Sequence, residues 1–326
     1  MQATVLIPTR NRPQMLQRAI ASVLTQEVSA IAEIIVSDNS TDDDSQAVVA
    51  GFRHPKLRYE RYRLQSNDSL QRMRDFYKLA TGEFCAILHD DDWWHPGLLV
   101  ESLRSLQLHP EASLCGSSYL SWQESRGNTR AETASTCLLL EMVGGKATEP
   151  RVVMRRDDIL AGCAMACFVH YSTMVMRRSY TEQLHQILKP ELFIFDTDRL
   201  HSMLAAELGS VVFNTTPLAT IHQHDQQDSA IRGKQAAQLA KPVSALLAQR
   251  IAQADSSAII STIRRMHRLA LADSMSPIAR VLHGAQRWLP LHPDLERQVP
   301  EYAQLLATQT RRTPLLSRIR RLLFKR

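Results

Sequence analysis

The stretch that most constrains the fold runs from Phe84 to Trp94, FCAILHDDDWW. An apolar run of Phe84, Cys85, Ala86, Ile87 and Leu88 gives way to three consecutive carboxylates, Asp90, Asp91 and Asp92. A short run of this kind suits a buried central strand of a parallel sheet, covered on both faces. In open α/β sheets, ligands sit beyond the carboxyl ends of such strands. Adjacent carboxylates repel one another unless a cation lies between them. Hard divalent ions take oxygen ligands, commonly carboxylates together with substrate phosphates. The stretch therefore reads as a strand delivering a metal site for a phosphate-bearing substrate. The competing reading is a solvated acidic turn capping a helix that begins near Pro96.

Strand-like and helical patterns alternate on either side of it. A buried strand is expected at 4–8, and Pro13 suits the first turn of a helix carrying Met15, Leu16, Ala19, Ile20, Val23 and Leu24 at helical spacing. A second strand at 33–37 breaks at the turn-forming run Asp38-Asn39-Ser40-Thr41-Asp42-Asp43-Asp44. A helix to about 51, a strand at 57–62, and a helix opened by Asn67-Asp68-Ser69 and closed by Thr81-Gly82 follow. Beyond the aspartates come a helix from 96 to about 108 and a strand at 112–121. This alternation indicates βαβ units and a doubly wound, mostly parallel, Rossmann-like α/β sheet. After Trp122 the pattern loosens into a loop-rich stretch at 123–150. A strand at 173–176 and a helix at 179–188 come next, then Phe193–Asp198 ahead of a helix ended by Gly209. A strand at 210–213 and an irregular polar loop at 221–228 complete this part. From about 233 to 309 the pattern is helical, with breaks near Asp255, Ser276-Pro277 and 290–293.

At 326 residues the chain has length for one or two domains. Its longest mid-chain apolar run, 159–169, is too short to span a bilayer. The start runs straight into a strand pattern, with no basic region or cleavage site of a secretory signal. The five cysteines show no CxxC spacing, and two of them, Cys85 and Cys115, lie in apolar runs, compatible with a reducing cytoplasm. The net charge of +6 resembles a nucleic-acid signal until it is located. Residues 311–326 carry seven basic side chains and no acid, leaving the preceding 310 residues at −1. No nucleic-acid partner is expected.

Three motifs stand in order at predicted strand ends: Ile7-Pro8-Thr9-Arg10-Asn11-Arg12, Ser37-Asp38-Asn39-Ser40-Thr41-Asp42, and Gly82-Glu83-Phe84 through Leu88-His89-Asp90-Asp91-Asp92. Together they resemble family 2 of the GT-A glycosyltransferases, inverting enzymes that use nucleotide-activated sugars. The likeness is clear over 4–100 and weaker to about 224. It implies a GT-A fold over 1–230, with a nucleotide-sugar half at 1–121 and an acceptor half at 122–230. A helical C-terminal region at 231–310 and a basic amphipathic tail at 311–326 would follow.

On that resemblance Pro8, Thr9, Arg10 and Arg12 border the nucleotide, Asp38 meets base or ribose, and Asn39 and Asp91 flank the same ligand. Asp90 and Asp92 form the family's Asp-x-Asp pair, near the ribose and the metal. The metal, Mn²⁺ or Mg²⁺, bridges a nucleotide-sugar's diphosphate, with a UDP-sugar the leading donor. The family's base is the aspartate of a Glu-Asp pair opening a downstream helix. Counting back from Gly209 selects Asp198, with Thr197 in the glutamate's place and Asp196 as its rival. Without a catalytic role, Asp196 caps that helix and Asp198 adds charge to its first turn. In the family's Arg-x-His, His224 holds the histidine position near the diphosphate or metal, and His222 replaces the arginine. Asn39-Ser40 departs from the family's Asp-Gly. Trp93 and Trp94 suit either a sugar stack or core packing.

The tail places Leu315, Leu316, Ile319, Leu322 and Leu323 on one helical face with basic residues elsewhere. Such a helix suits an anionic membrane surface. The expectation is an enzyme of polysaccharide or lipopolysaccharide assembly, peripheral on the cytoplasmic face of the inner membrane, with a glycan or lipid-linked acceptor. A sugar nucleotidyltransferase is the rival enzyme, but no glycine precedes Gly51 to form its phosphate loop. A non-catalytic membrane or nucleic-acid binder would leave the strand-end carboxylates without a purpose.

Overall fold

Alternation along three parallel strands decides which side of the sheet each residue serves. β1 (Ala3–Thr9) lies between β2 (Ile31–Asp38) and β4 (Phe84–Ile87). Val5, Ile7, Ile34, Val36, Phe84 and Ala86 join the core on one face, and Leu6, Ile35, Cys85 and Ile87 the core on the other. A one-residue slip would exchange these sets, so two-sided burial pins the register. The structure, a computed structural model, describes residues 1–62, 69–131, 133–146, 148–192, 196–227, 235–254, 256–286 and 289–308.

β3 (Leu57–Arg61) extends the sheet beyond β2. The full order is β3-β2-β1-β4-β9-β6-β10-β5, where β5 is Trp93–Trp94, β6 is Ala112–Gln123, β9 is Val175–Arg177 and β10 is Ser210–Gln223. β7 (Asn128–Ala131) pairs with β6, and β8 (Arg151–Met154) with β10. β3, β2, β1, β4, β6 and β10 all point one way, and β9, wedged between β4 and β6, runs against them. The sheet is mostly parallel, as the alternating pattern implies.

Helices cover both faces. α1 (Pro13–Leu24), α2 (Asp44–Phe52) and α4 (Leu98–Leu108) supply Leu16, Ile20, Val49 and Leu103 to one side. α3 (Ser69–Leu79), α5 (Thr133–Val143), α6 (Arg156–Met165), α7 (Arg178–Ile187) and α8 (Thr197–Leu208) cover the other. The C-terminal helices Lys241–Gln253, Ser256–Ala272 and Pro277–Ala285 continue that second core across α5, α6 and α8. No described helix is long and apolar enough to cross a membrane, and all five cysteines are free.

Two expectations need correction. The stretch 123–150 is not merely loop: it folds as the β6–β7 hairpin and α5, whose Leu138, Leu139 and Met142 are buried. The cover for α5 comes from Pro277–Ala285, far along the chain, which local periodicity cannot reveal. β10 does not stop at 213 but runs on to Gln223, so Ile221 and His222 belong to a strand. Its pairing with β6 shifts register on either side of Pro217, which accommodates a residue that cannot donate to the ladder. The Asn67-Asp68 turn, the run 193–195, the segment near 233 and the tail at 311–326 lie outside the described residues.

β4 can pair with β1 because Gly82 lets the chains close. A Cβ there would lie 2.6 Å from the Thr4 backbone nitrogen and 2.9 Å from the Ala3 carbonyl carbon. Gly82→Ala is expected to lower unfolding stability by about 1–3 kcal/mol, read by urea denaturation. Gly51→Ala, on an open helix face with nothing within 4 Å, should instead leave stability unchanged or raise it by up to about 1 kcal/mol.

Candidate functional site

The parallel strands end together, and their last residues are tied to one another. Thr9 pairs with Asp38 across β1 and β2, and its hydroxyl donates to Asp90 Oδ2 at 2.8 Å. Asp38, fully buried, accepts from the Ser40 N–H at 2.7 Å and the Tyr59 hydroxyl at 2.6 Å, with Arg61 Nη1 3.6 Å away. Asn39 donates its N–H to the Thr9 carbonyl at 3.0 Å. Asn11 sits at φ +55°, a conformation asparagine tolerates better than most residues. Its N–H reaches Ser40 Oγ and its Oδ1 accepts from the Thr41 N–H, each at 2.8 Å. These bonds bind the loop after β1 to the loop after β2. Pro8 is half-buried and Arg10 exposed at this rim. Arg72, unmarked in the sequence, reaches in from α3 to the Ser37 carbonyl at 2.6 Å and feels the charges of Asp38 and Asp90.

The acidic run is a turn, closed by the Asp92 N–H on the His89 carbonyl. Turn geometry, rather than strand alternation, therefore decides where each carboxylate goes. Asp90 faces Thr9 and Arg12, whose Nη1 lies 3.2 Å from Asp90 Oδ1 and 3.0 Å from Asp91 Oδ2. Asp91 Oδ2 also meets His224 Nε2 at 3.1 Å. Asp92, 1% exposed, accepts from Ser172 Oγ at 2.5 Å and from the His222 N–H at 2.9 Å. Burial, reinforced by the neighbouring Asp91 charge, pushes the Asp92 carboxyl up to about 7. Burial raises Asp90 too, with the Asp91 charge adding to it and Arg12 and Thr9 opposing. For Asp91 burial also pushes upward, but His89, the His224 hydrogen bond and Arg12 more than reverse it, leaving its carboxyl below the ordinary range.

Facing this turn is a second one, Tyr171–Thr173, where α6 leads into β9. Ser172 is wholly buried and fully used. Its hydroxyl accepts from the His89 N–H at 3.1 Å while donating to Asp92, and its carbonyl accepts from Trp94 Nε1 at 2.6 Å. The adjacent Tyr171 N–H donates to Asp198 Oδ2 at 2.9 Å. Asp92 and Asp198, 106 positions apart by their residue numbers, are thus anchored by neighbouring residues of one turn.

Asp196 is placed differently. It is the N-cap residue of α8 at φ +66°, yet its side chain makes no capping bond. Its Oδ2 instead takes Arg199 Nε at 2.6 Å and Nη2 at 2.5 Å, and Arg199 also holds Ser244 Oγ and the Cys163 carbonyl. Burial raises the Asp196 carboxyl to about 6 despite Arg199. The pair belongs to the junction between α8 and the C-terminal helices.

α1 grips the segment after the acidic turn from the opposite side. Arg18 donates to the Asp91 carbonyl at 2.7 Å and His222 Nδ1 at 3.0 Å, and its guanidinium carbon stands 4.0 Å from the Trp93 ring centroid. Ser22 Oγ accepts the Trp94 N–H, and Gln26 bonds the His95 carbonyl and the Leu99 N–H. Trp94 is buried, so of the two tryptophans it serves the core; Trp93 packs edge-on to Trp122. His222 stacks between Trp122 and His224 at ring-centroid distances of 4.4 and 4.6 Å.

Among the described residues, His89, Asp91 and Asp92 present ligand atoms all within 4.8 Å of one another, a set suited to a metal ion. Asp90 and His224 stand one contact further out, on Arg12 and Asp91. Buried ring nitrogens of both His222 and His224 have no hydrogen bond. Two crowded, buried carboxylates and one imidazole match a hard or borderline divalent cation such as Mn²⁺ or Mg²⁺.

The sequence profile of Glycosyl transferase family 2 matches residues 4–184, more than half of the chain. The chain belongs to this family. Among curated relatives, the putative colanic acid biosynthesis glycosyl transferase WcaA of Escherichia coli K12 is 34% identical over 119 residues, 36% of this chain and 42% of that protein. The GalNAc(5)-diNAcBac-PP-undecaprenol beta-1,3-glucosyltransferase of Campylobacter jejuni is 34% identical over 94 residues, 27% of this chain and 29% of that protein. The chain thus spans less than half the length of these two relatives. The fold is that of S. aureus TarS 1-349, solved in complex with UDP-GlcNAc, with a TM-score of 0.61 at 16% identity over 92% of this chain and 82% of that one. Ser172, Arg18 and Arg72 carry no sequence signature that singles them out.

Two substitutions separate support from structure. Ser172→Ala leaves Asp92 with one donor, and should cost about 1–3 kcal/mol in urea denaturation and weaken Mn²⁺ binding by calorimetry roughly 10–100-fold. Asp196→Asn strands a buried guanidinium and is expected to cost about 3–5 kcal/mol of stability.

Proposed function

We propose that this chain transfers a sugar, with inversion, from a nucleoside diphosphate sugar to a hydroxyl of a glycan or lipid-linked acceptor. The observation that carries the reading is the single turn that anchors both Asp92 and Asp198. A buried carboxylate suited to a cation and a second, half-buried carboxylate are thereby held by adjacent residues. Thr9, Arg10, Arg12, Asp38, Asn39 and Asp90 would face the nucleotide, with Arg72 adding positive charge behind them. Bound Mn²⁺ or Mg²⁺, held by Asp92 with Asp91 and His89, would neutralise charge on the leaving diphosphate. His224 would steady Asp91 and border the diphosphate.

Asp198 takes the base role. Its carboxylate is half-buried and held at Oδ2 by one backbone N–H, with no cationic partner among the described residues. From there it would accept the proton of the acceptor hydroxyl as that oxygen attacks the anomeric carbon opposite the diphosphate. Asp196 is committed to Arg199 and is the weaker candidate. UDP-sugar is the favoured donor, in line with the UDP-GlcNAc complex of TarS. The relatives' names, colanic acid biosynthesis and an undecaprenol-linked glycan, favour bacterial surface polysaccharide assembly. The basic segment 311–326 would then hold the protein peripherally on the anionic cytoplasmic face of the inner membrane.

Screening UDP-, GDP- and dTDP-sugars for Mn²⁺-dependent binding and slow hydrolysis tests the donor reading. Asp92→Asn is expected to abolish metal-dependent binding. Asp198→Asn should keep binding and lose roughly 10²–10⁴-fold in transfer; unaltered transfer in both variants sinks the assignment. In vesicle co-sedimentation with anionic lipid, full-length protein should pellet and a 1–310 truncation should stay in solution, whereas equal pelleting would remove the membrane role of the tail.

A further inference from the structure

An aromatic group that donor binding leaves unused stands beside both Asp92 and Asp198. His170 opens the turn that anchors both carboxylates, and its Nδ1 lies 3.9 Å from Asp92 Oδ2. The ring is also close enough to Asp198 to feel its charge. Nδ1 accepts the Ser172 N–H at 3.2 Å, so the ring proton sits on Nε2. Nε2 has no partner among the described residues. Tyr119 of β6 packs against the ring at 5.5 Å and 58°, and His89 meets it nearly edge-on at 6.1 Å and 79°. His170 is therefore held in one orientation, with an N–H donor offered beside the proposed base. It remains 24% exposed, and Tyr119 is half-buried, so both rings keep accessible surface.

Charge divides the two sides. Arg10, Arg12, Arg18 and Arg72 gather at the strand ends, where a diphosphate would lie. On the opposite side the cation of α8, Arg199, is buried and committed to Asp196, Ser244 and the Cys163 carbonyl. What is offered near Asp198 is aromatic surface and a neutral donor. The C–H face of a pyranose packs well on aromatic rings, whose faces carry negative charge, and its hydroxyls need oriented hydrogen-bond donors. An open-chain polyol phosphate would bring an anion to a side already holding Asp198.

We propose that His170 and Tyr119 form the acceptor subsite, and that they select a cyclic sugar as the accepting unit. His170 Nε2–H donates to a hydroxyl or ring oxygen next to the reacting hydroxyl, and Tyr119 supports the sugar's C–H face. This rests on the transferase reading, and it adds which acceptor chemistry the site takes.

The test uses full-length protein with the UDP-, GDP- and dTDP-sugar panel as donors. Methyl and p-nitrophenyl pyranosides, ribitol 5-phosphate and undecaprenyl phosphate serve as acceptors. Wild type should glycosylate a pyranoside in preference to both phosphates. His170→Ala should raise the pyranoside KM by about tenfold or more, the loss of an oriented hydrogen bond, and raise donor KM far less. His170→Gln, whose amide can offer an N–H near the place of Nε2, should recover much of that loss. Tyr119→Phe should behave as wild type and Tyr119→Ala should raise pyranoside KM. Thermal melts of each variant separate these effects from unfolding. Preference for ribitol 5-phosphate or undecaprenyl phosphate, or an unchanged pyranoside KM in a folded His170→Ala, overturns the proposal while leaving donor chemistry standing. Absence of any nucleotide-sugar binding or hydrolysis in wild type fails the transferase reading itself, and this inference falls with it.

Discussion

The hydroxyl of Ser172 on the Asp92 carboxylate, at 2.5 Å, is the contact on which the architecture of the site turns. Three carboxylates in a row at the end of a buried strand form an electrostatically unfavourable end to a hydrophobic element. Left alone, each would seek water and splay outward. Ser172 prevents that by joining the acidic turn to the turn before β9, and β9 in turn lies between β4 and β6 in the sheet. The serine uses all of its polar atoms: its N–H on His170, its hydroxyl between His89 and Asp92, its carbonyl on Trp94. A residue so fully committed, with no side-chain surface exposed, has no freedom to follow a ligand. The acidic turn is accordingly preorganised, and so is the neighbouring Asp198 through Tyr171.

The same logic runs along α1. Arg18 and Ser22, on one face of α1, and Gln26, just past its end, bond the Asp91 carbonyl, the Trp94 N–H, the His95 carbonyl and the Leu99 N–H. A helix face normally read as solvent-exposed polar surface is here a rail for the chain that leaves the acidic turn. Arg18 also fixes the His222 ring by donating to Nδ1, so the proton of that imidazole lies on Nε2. Positive charge thus reaches the site from α1, the β1 loop and α3, three elements that approach from different directions.

Sequence reasoning located what depends on local pattern. β1, β2 and β4 were legible because two-sided burial writes short apolar runs, and their last residues were legible because Pro, Asn and Asp interrupt those runs. What it could not place depends on distant partners. Whether Asp196 or Asp198 is the freer carboxylate turns on Arg199, Ser244 and Tyr171, and no spacing rule within α8 distinguishes them. The true length of β10 was hidden by Asn214 through Pro217, a breaker pattern that the sheet absorbs as register shifts. α5 was hidden because the helix that covers it lies well over a hundred residues further on. Ser172 and His170 were invisible for a simpler reason: a serine or a histidine near a strand start carries no pattern of its own.

The separation of Asp196 from Asp198 also shows how one helix start serves stability with one carboxylate and, on the proposed reading, chemistry with the other. A buried carboxylate must either be paired or be neutralised. Asp196 is paired, and through Arg199 it binds α8 to Ser244 in the first of the long C-terminal helices. That anchorage fixes the helix end from below, with the left-handed backbone at Asp196 held by the ion pair its side chain makes. Asp198, two residues on, has no cationic partner among the described residues and stays half-buried, because the helix that carries it is already secured. On the proposed reading the C-terminal helices bear on the reaction indirectly: they hold the first turn of α8 in place, and that turn presents Asp198.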